Sequence, residues 1–254
     1  MCRVRVAAVS YLNTIPFIYG IERSGFFPYA DIYLYPPAEC ADAISSGRAD
    51  IALIPVAEIP SISNIKIIGG HCISATDNVR TVVLLSESPV SEIKRIYLDP
   101  HSRTSVRLVK ILAKEYWKII PEWIDLTDYE SVTPSEGDGF VLIGDKVFDY
   151  ETKFRQKYDL SHEWYKYTGL PFVFAAWVAN NSVPETAVAD LEKALDYGIK
   201  NIENAVNQDR RIDRKTAYKY LTESIDFNLD NDKRESMRLF FRKLEKLEEK
   251  TGPG

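Results

Sequence analysis

The chain has 254 residues, 45% of them hydrophobic and 27% charged, with a formal net charge of −5. This is ordinary globular composition, with length for one large domain or two small ones, and an acidic balance without a basic stripe argues against nucleic acid. The longest apolar runs, such as Phe172 to Ala179, fall well short of a membrane span, and three cysteines with three histidines lack metal-ligand spacing, which argues for a reduced compartment and against zinc.

Val4 to Val9 alternates poorly and reads as a buried strand. Cys2 sits immediately after Met1 and the chain goes directly into this strand with no apolar leader, so the expectation is a cytoplasmic protein. Ser10-Tyr11-Leu12-Asn13-Thr14 follows as a loop, and Ile15-Pro16 starts a helix to about Ser24. Asp31 to Tyr35 is a second strand, broken by Pro36-Pro37. Ala38 to Ser46 is a short helix stopped by Gly47, and Asp50 to Ile54 is a third strand ending at Pro55. Three strands alternating with two helices predict a parallel sheet. Ile65 to Ile68 reads as a further short strand.

From about Arg80 a second α/β pattern begins. Thr81 to Leu85 and Arg95 to Leu98 are strands around a short helix, Val90 to Lys94. Beyond Pro100, the run Ser102-Arg103-Thr104-Ser105 opens a strongly periodic helix, Val106 to Trp117. A helix start leaves its first N–H groups unpaired and carries a partial positive charge. Three hydroxyls and a guanidinium gathered there suit a carboxylate or a phosphate. One hydroxyl is enough for an ordinary N-cap, and four polar residues in a row exceed that need. Glu122 to Asp125 and Phe140 to Ile143 are strands, Thr133 to Gly139 is an exposed loop, and Gly144-Asp145 turns into a helix, Lys146 to Glu151. After the apolar strand at Phe172 the chain is helical: Pro184 to Asn207, Asp213 to Leu221 and Asp230 to Lys250, with Pro184 in a first turn and Asp213 and Asp230 as caps.

The pattern predicts two α/β lobes, residues 1–79 with 175–254 and residues 80–174, the strand near Phe172 returning the chain to the first. A ligand in such an arrangement lies between lobes, at the carboxyl ends of strands. The loops expected there have unusual polar content: Ser10 to Thr14, Pro55 to Glu58, Ser102 to Ser105, and Gly144-Asp145. Tyr11 lies in a loop at a strand end, whereas Phe172, Phe174 and Trp177 read as core. His71, His101 and His162 lie in segments with no obvious acid partner, and no Ser-His-Asp arrangement can be assigned.

Five segments in order resemble a known family. They are Val9-Ser10-Tyr11-Leu12-Asn13-Thr14-Ile15-Pro16, Asp50-Ile51-Ala52-Leu53-Ile54-Pro55, Ser102-Arg103-Thr104-Ser105, Leu142-Ile143-Gly144-Asp145, and Trp164 through Thr168-Gly169-Leu170-Pro171-Phe172-Val173-Phe174-Ala175. Together they are similar to the signatures of the chorismate dehydratases of the futalosine route to menaquinone, over roughly the first 180 residues. The resemblance implies a two-lobed fold like the type II periplasmic binding proteins, with a ligand cleft between lobes. It also implies a hydro-lyase that takes chorismate to 3-(1-carboxyvinyloxy)benzoate and water, with no cofactor and no metal required.

Chorismate carries two carboxylates, so two anion sites are expected. Ser102, Arg103, Thr104 and Ser105, with Gly144 and Asp145, supply one candidate. Ser10 and Tyr11 belong to the second. In the family Asn13 lies in the active site, where its amide suits the leaving hydroxyl or a carboxylate; a loop Asn capping the next helix is the plain alternative. Thr81 stands where the family can place a serine, keeping the hydroxyl and adding a methyl. Glu58 and Asp145 are candidate bases, and both fit equally as caps or hinge partners. The lack of an evident strong base points to a substrate-assisted route, in which the enolpyruvyl carboxylate takes the proton. Two other readings stay open: a non-catalytic solute-binding protein of the same fold, and the related 1,4-dihydroxy-6-naphthoate synthase. The oligomeric state is not specified.

Overall fold

A computed structural model of the chain describes residues 3–100, 102–126, 133, 135–209 and 211–249. In chain order the elements are β1 (Val4–Val9), α1 (Ile15–Arg23), β2 (Ala30–Tyr35), α2 (Pro37–Ser45), β3 (Ile51–Pro55), β4 (Ile65–Ala75), β5 (Val82–Ser86), β6 (Arg95–Leu98), α3 (Thr104–Leu112), β7 (Glu122–Asp125) and β8 (Asp138–Ile143). There follow α4 (Val147–Tyr150), β9 (Gln156–Asp159), α5 (Leu160–Thr168), β10 (Phe172–Asn180), α6 (Glu185–Lys200), α7 (Ile202–Gln208), α8 (Arg214–Glu223), β11 (Asp226–Asn228) and α9 (Asn231–Glu248). The chain forms two compact units, Met1–Ser74 with Val173–Asn231, and Ala75–Phe172 with Asp232–Gly254.

The first unit holds a six-stranded sheet in the order β11-β4-β10-β3-β1-β2. The expected parallel arrangement holds for β1 with β2 and with β3, Val9 lying opposite Tyr35 and Val6 opposite Ile51. The sheet is mixed, because β10 enters beside β3 antiparallel, Trp177 opposite Leu53. Both strands are buried along nearly their whole length, as continuous apolar runs require. Phe17 of α1 meets Trp177, Phe227 and the His71 ring edge-on, at centroid separations of 5.2–6.1 Å. Helices α1 and α6 meet through two glycines. A Cβ on Gly198 would fall 1.8 Å from the Pro16 carbonyl oxygen, and one on Gly20 would fall 1.9 Å from that of Ala194. Both obstacles are backbone atoms, so only glycine permits this approach.

The second unit holds a five-stranded sheet, β7-β6-β8-β5-β9. β6 runs parallel to β7 and β8, and β5 runs antiparallel to β8 and β9. Its core gathers Val83, Leu85, Leu126, Leu142 and Val147. A second cluster forms around Trp164, whose ring meets Phe172 at 5.3 Å and Phe240 at 6.1 Å. Phe240 belongs to α9, and this corrects the expected domain division, which assigns residues 175–254 to the first lobe. The helix groups with the second unit because its apolar face fills that cluster. It is fastened there by a hydrogen bond from Trp164 Nε1 to Ser236 Oγ (3.0 Å) and by Lys243, which donates to Glu115 and Tyr167.

Other elements differ in extent from the sequence expectation. The helix expected from Pro184 to Asn207 breaks at Asn201 into α6 and α7, and Pro184 is the cap rather than the first turn. The periodic helix after Ser105 ends its last five residues, Ala113–Trp117, as a π-turn, closed by Lys118 in the left-handed region. β4 extends seven residues past the expected Ile68 to Ala75. Among the described residues no helix is long and apolar enough to cross a membrane.

Candidate functional site

In the second unit the topology brings three of the expected segments to one end of the sheet. β6 and β8 are parallel neighbours, so the loops after Leu98 and Ile143 emerge side by side. β5 is antiparallel to β8 with Val82 opposite Ile143, which sets Thr81 at the same end. The Gly144 N–H then donates to the Thr81 carbonyl at 2.9 Å. Gly144 has φ of +75°, a conformation that lets the chain turn sharply from strand into α4.

Ser102, Thr104 and Ser105 are buried, and Arg103 is half-buried. The cap position of α3 is Arg103, which makes no side-chain cap bond, and Ser102, one residue ahead, serves the first turn instead, its Oγ accepting from the Ser105 N–H at 3.1 Å. One hydroxyl thus serves the start of the helix, and Thr104 and Ser105 lie buried beside it. Below this loop lies a pair that sequence reasoning missed. Asp99, whose side chain has no solvent exposure, pairs with Lys146 Nζ at 2.7 Å. Neither residue advertises its partner: a strand-end aspartate and a lysine after Gly144-Asp145 read as solvated.

Thr81 is buried, and the residue before it is held in an unusual state. Arg80 has φ of +66°, a conformation with a cost for any residue bearing a Cβ. Asp159 fixes it there. Its Oδ2 accepts from the Arg80 N–H at 2.7 Å, while its Oδ1 caps α5 through the Ser161 and His162 N–H groups at 3.1 and 3.3 Å. Burial dominates and raises the Asp159 carboxyl above the usual range, against these backbone hydrogen bonds.

In the first unit, the Ser10–Thr14 loop and Glu58 follow adjacent parallel strands, β1 and β3. Leu12–Thr14 forms a short 3₁₀ turn, with Tyr11 extended before it and the Thr14 N–H on the Tyr11 carbonyl at 3.1 Å. Ser10, Tyr11 and Asn13 are half-buried. The capping alternative for Asn13 does not occur, since no side chain caps α1; its Oδ1 instead accepts from the Thr14 hydroxyl at 3.2 Å. Arg211, unnoticed in the sequence, donates from Nη1 to the Ser10 carbonyl, and its guanidinium also grips Asp209 at 2.8–2.9 Å. Burial opposes ionisation of Asp209, and the hydrogen bonds from Arg211 outweigh it, holding that carboxyl below its ordinary range. Glu58 sits buried in the 3₁₀ segment Val56–Ser61.

The histidines have acid partners after all. His71 lies 3.2 Å from both Glu192 and Asp196 of α6, and His162 meets Asp77. These carboxylates are remote in sequence, so no local pattern reveals them. His101 lies outside the described residues. Ser74 is fully buried and donates to the Asp226 carbonyl of β11, a structural bond. A groove of about 780 Å³ on the second unit is lined by Arg107, Lys110, Trp123 and Leu247 among others, and by none of the expected site residues.

Comparison with known proteins addresses the fold and the family. In fold, the chain is similar to a protein from Archaeoglobus fulgidus (TM-score 0.75, 15% identity, 96% of this chain and 97% of that one). It is also similar to a Candida albicans gene product described as having the generic periplasmic binding protein fold (TM-score 0.67, 11% identity, 97% and 94%). The alkanesulfonate-binding protein of Xanthomonas axonopodis pv. citri matches with a TM-score of 0.64 at 11% identity, over 96% and 93%. In sequence, it is 24% identical to the chorismate dehydratase of Thermus thermophilus over 221 residues, 79% of each chain. A family model described as menaquinone biosynthesis matches residues 4–246. The fold is thus that of the periplasmic binding proteins, and the chain belongs to the menaquinone biosynthesis family.

Proposed function

We propose that this protein is a chorismate dehydratase, a cytoplasmic hydro-lyase converting chorismate to 3-(1-carboxyvinyloxy)benzoate and water. The observation that carries the reading is the buried hydroxyl set at the start of α3, beside the Gly144 turn and Thr81. Its support from outside the chain is family membership and the Thermus thermophilus relative. That relative does not favour the alternatives of a solute-binding protein or a 1,4-dihydroxy-6-naphthoate synthase.

The reaction removes a proton from the ring carbon bearing the enolpyruvyl ether and hydroxide from its neighbour, and the ring becomes aromatic. Aromatisation makes the step strongly downhill and leaves the electron count balanced without a redox cofactor. The protein's task is to hold a dianion in one geometry and help one proton move. Ser102, Thr104, Ser105 and the N–H groups of the helix start anchor one carboxylate, with Arg103, Gly144 and Asp145 around it. Asn13, with Ser10 and Tyr11, serves the leaving hydroxyl and ring. Thr81 contributes its hydroxyl. The enolpyruvyl carboxylate accepts the proton, in preference to Glu58 or Asp145.

Purified protein incubated with chorismate should yield the aromatic enol ether, followed by absorbance and chromatography. Chorismate recovered unchanged at stoichiometric enzyme rejects the proposal. A kcat–pH profile with an ionisation that disappears in E58Q or D145N would transfer the base role to that residue and reject the substrate-assisted route.

A further inference from the structure

A carboxylate without solvent contact is tolerated only where a counter-charge and hydrogen bonds compensate it. Asp99 is such a group, one residue beyond the end of β6. Its Oδ2 receives Lys146 Nζ at 2.7 Å and the Ile143 N–H at 3.3 Å. Its backbone carbonyl accepts from the Ser102 N–H at 3.2 Å. Lys146 is three-quarters shielded; burial is the leading influence on its ammonium and lowers it from the usual lysine value, with Asp99 opposing. One ion pair therefore joins the strand end that leads into Ser102–Ser105 to the turn that carries Gly144 and Asp145.

On the strength of the chorismate dehydratase reading, we infer that Lys146 is a positioning residue for the substrate carboxylate, acting through Asp99 to hold the Ser102–Ser105 loop. Removing the ammonium strips a counter-charge from a buried anion three residues from the place where a second anion docks. The loop then shifts to hydrate Asp99, and the Ser102 bond to Ser105 loosens with it. The loss falls on docking of the carboxylate, which is made in ground and transition state alike, so KM carries the defect. Removing both charges together takes away the buried anion along with this counter-charge, which costs far less than removing the counter-charge alone.

The test compares wild type, K146M and the double variant D99N/K146M by chorismate kinetics and by hydrogen exchange of the Ser105 amide without ligand. K146M should raise KM by about tenfold or more with kcat within about threefold, and should speed Ser105 exchange. The double variant should regain most of both. It also keeps the inference falsifiable if K146M alone does not fold, since it must then be folded with near wild-type KM. A K146M enzyme with unchanged KM and exchange overturns the inference. So does a KM defect that persists in the double variant, because Lys146 would then act directly on substrate. Wild-type protein that leaves chorismate intact rejects the functional reading instead, and the exchange comparison still decides whether Lys146 holds the loop.

Discussion

Asn13 and Thr104 are the residues at which binding and folding separate most cleanly. Asn13 is half-buried and its observed side-chain contact is the adjacent Thr14 hydroxyl, so the fold asks little of it. Asn13→Ala is expected to lower kcat by about a hundredfold, the scale of one lost polar contact to developing charge. Its melting temperature should move by less than about 2 °C. An equal loss of stability and activity would mark Asn13 as structural. Ser102 and Thr104 differ in the same way. Ser102→Ala removes the first-turn hydrogen bond and costs about 1 kcal/mol of stability, visible in a urea midpoint. Thr104→Val leaves that bond in place and should raise KM about fivefold, with kcat little changed. A pure kcat defect in the valine variant would remove Thr104 from the carboxylate site.

At the scale of elements, α6 is fixed to β4 by charge. The His71 ring faces Glu192 through Nδ1 and Asp196 through Nε2, one helical turn apart, and the Gly70 N–H adds a bond to Glu192 at 2.9 Å. Burial is the largest influence on His71 and lowers its pKa, yet the two carboxylates together raise it above the ordinary imidazole value. The folded pKa therefore exceeds the unfolded one. The stability this site contributes is complete below the unfolded value and is lost as pH rises through the raised one. Melting temperature should fall as pH rises from the unfolded value through the raised one, and His71→Gln should flatten the decline. A wild-type curve that is already flat would dismiss the imidazolium.

How much of this was legible follows from the kind of signal each element carries. β1, β3 and α3 are readable because apolar runs and helical spacing are local, as are Pro16 and Asp213 at helix starts. β9 (Gln156–Asp159) and β11 (Asp226–Asn228) are short, polar edge strands, and their state comes from partners in the sheet. The hydroxyl run at Ser102 announces a helix start by itself. The Asp99–Lys146 pair and the Arg211 grip on Ser10 arise only when distant segments meet, so nothing local marks them.

For the molecule as a whole, α9 decides which unit depends on the C-terminus. Phe240 is almost fully buried and sits against Trp164 and Phe172, the latter ring at 5.2 Å. Phe240→Ala should cost about 3–5 kcal/mol. Hydrogen exchange should speed across Ala75–Phe172 well before it does in the first unit. Equal loosening of both units would contradict the assignment of the helix.

The position of β10 also dictates an order of events. In the first sheet it stands between β3 and β4, although it is made long after either. On an emerging chain those two strands cannot be zipped together as neighbours; they must wait, edges open, until Phe172–Asn180 arrives. All five strands of the second sheet precede it. The second sheet can therefore assemble while the first still lacks its middle, and pairings of such long sequence separation are slow to form. Nascent chains stalled just before β10 would present two unmatched strand edges, the condition under which chaperones are needed.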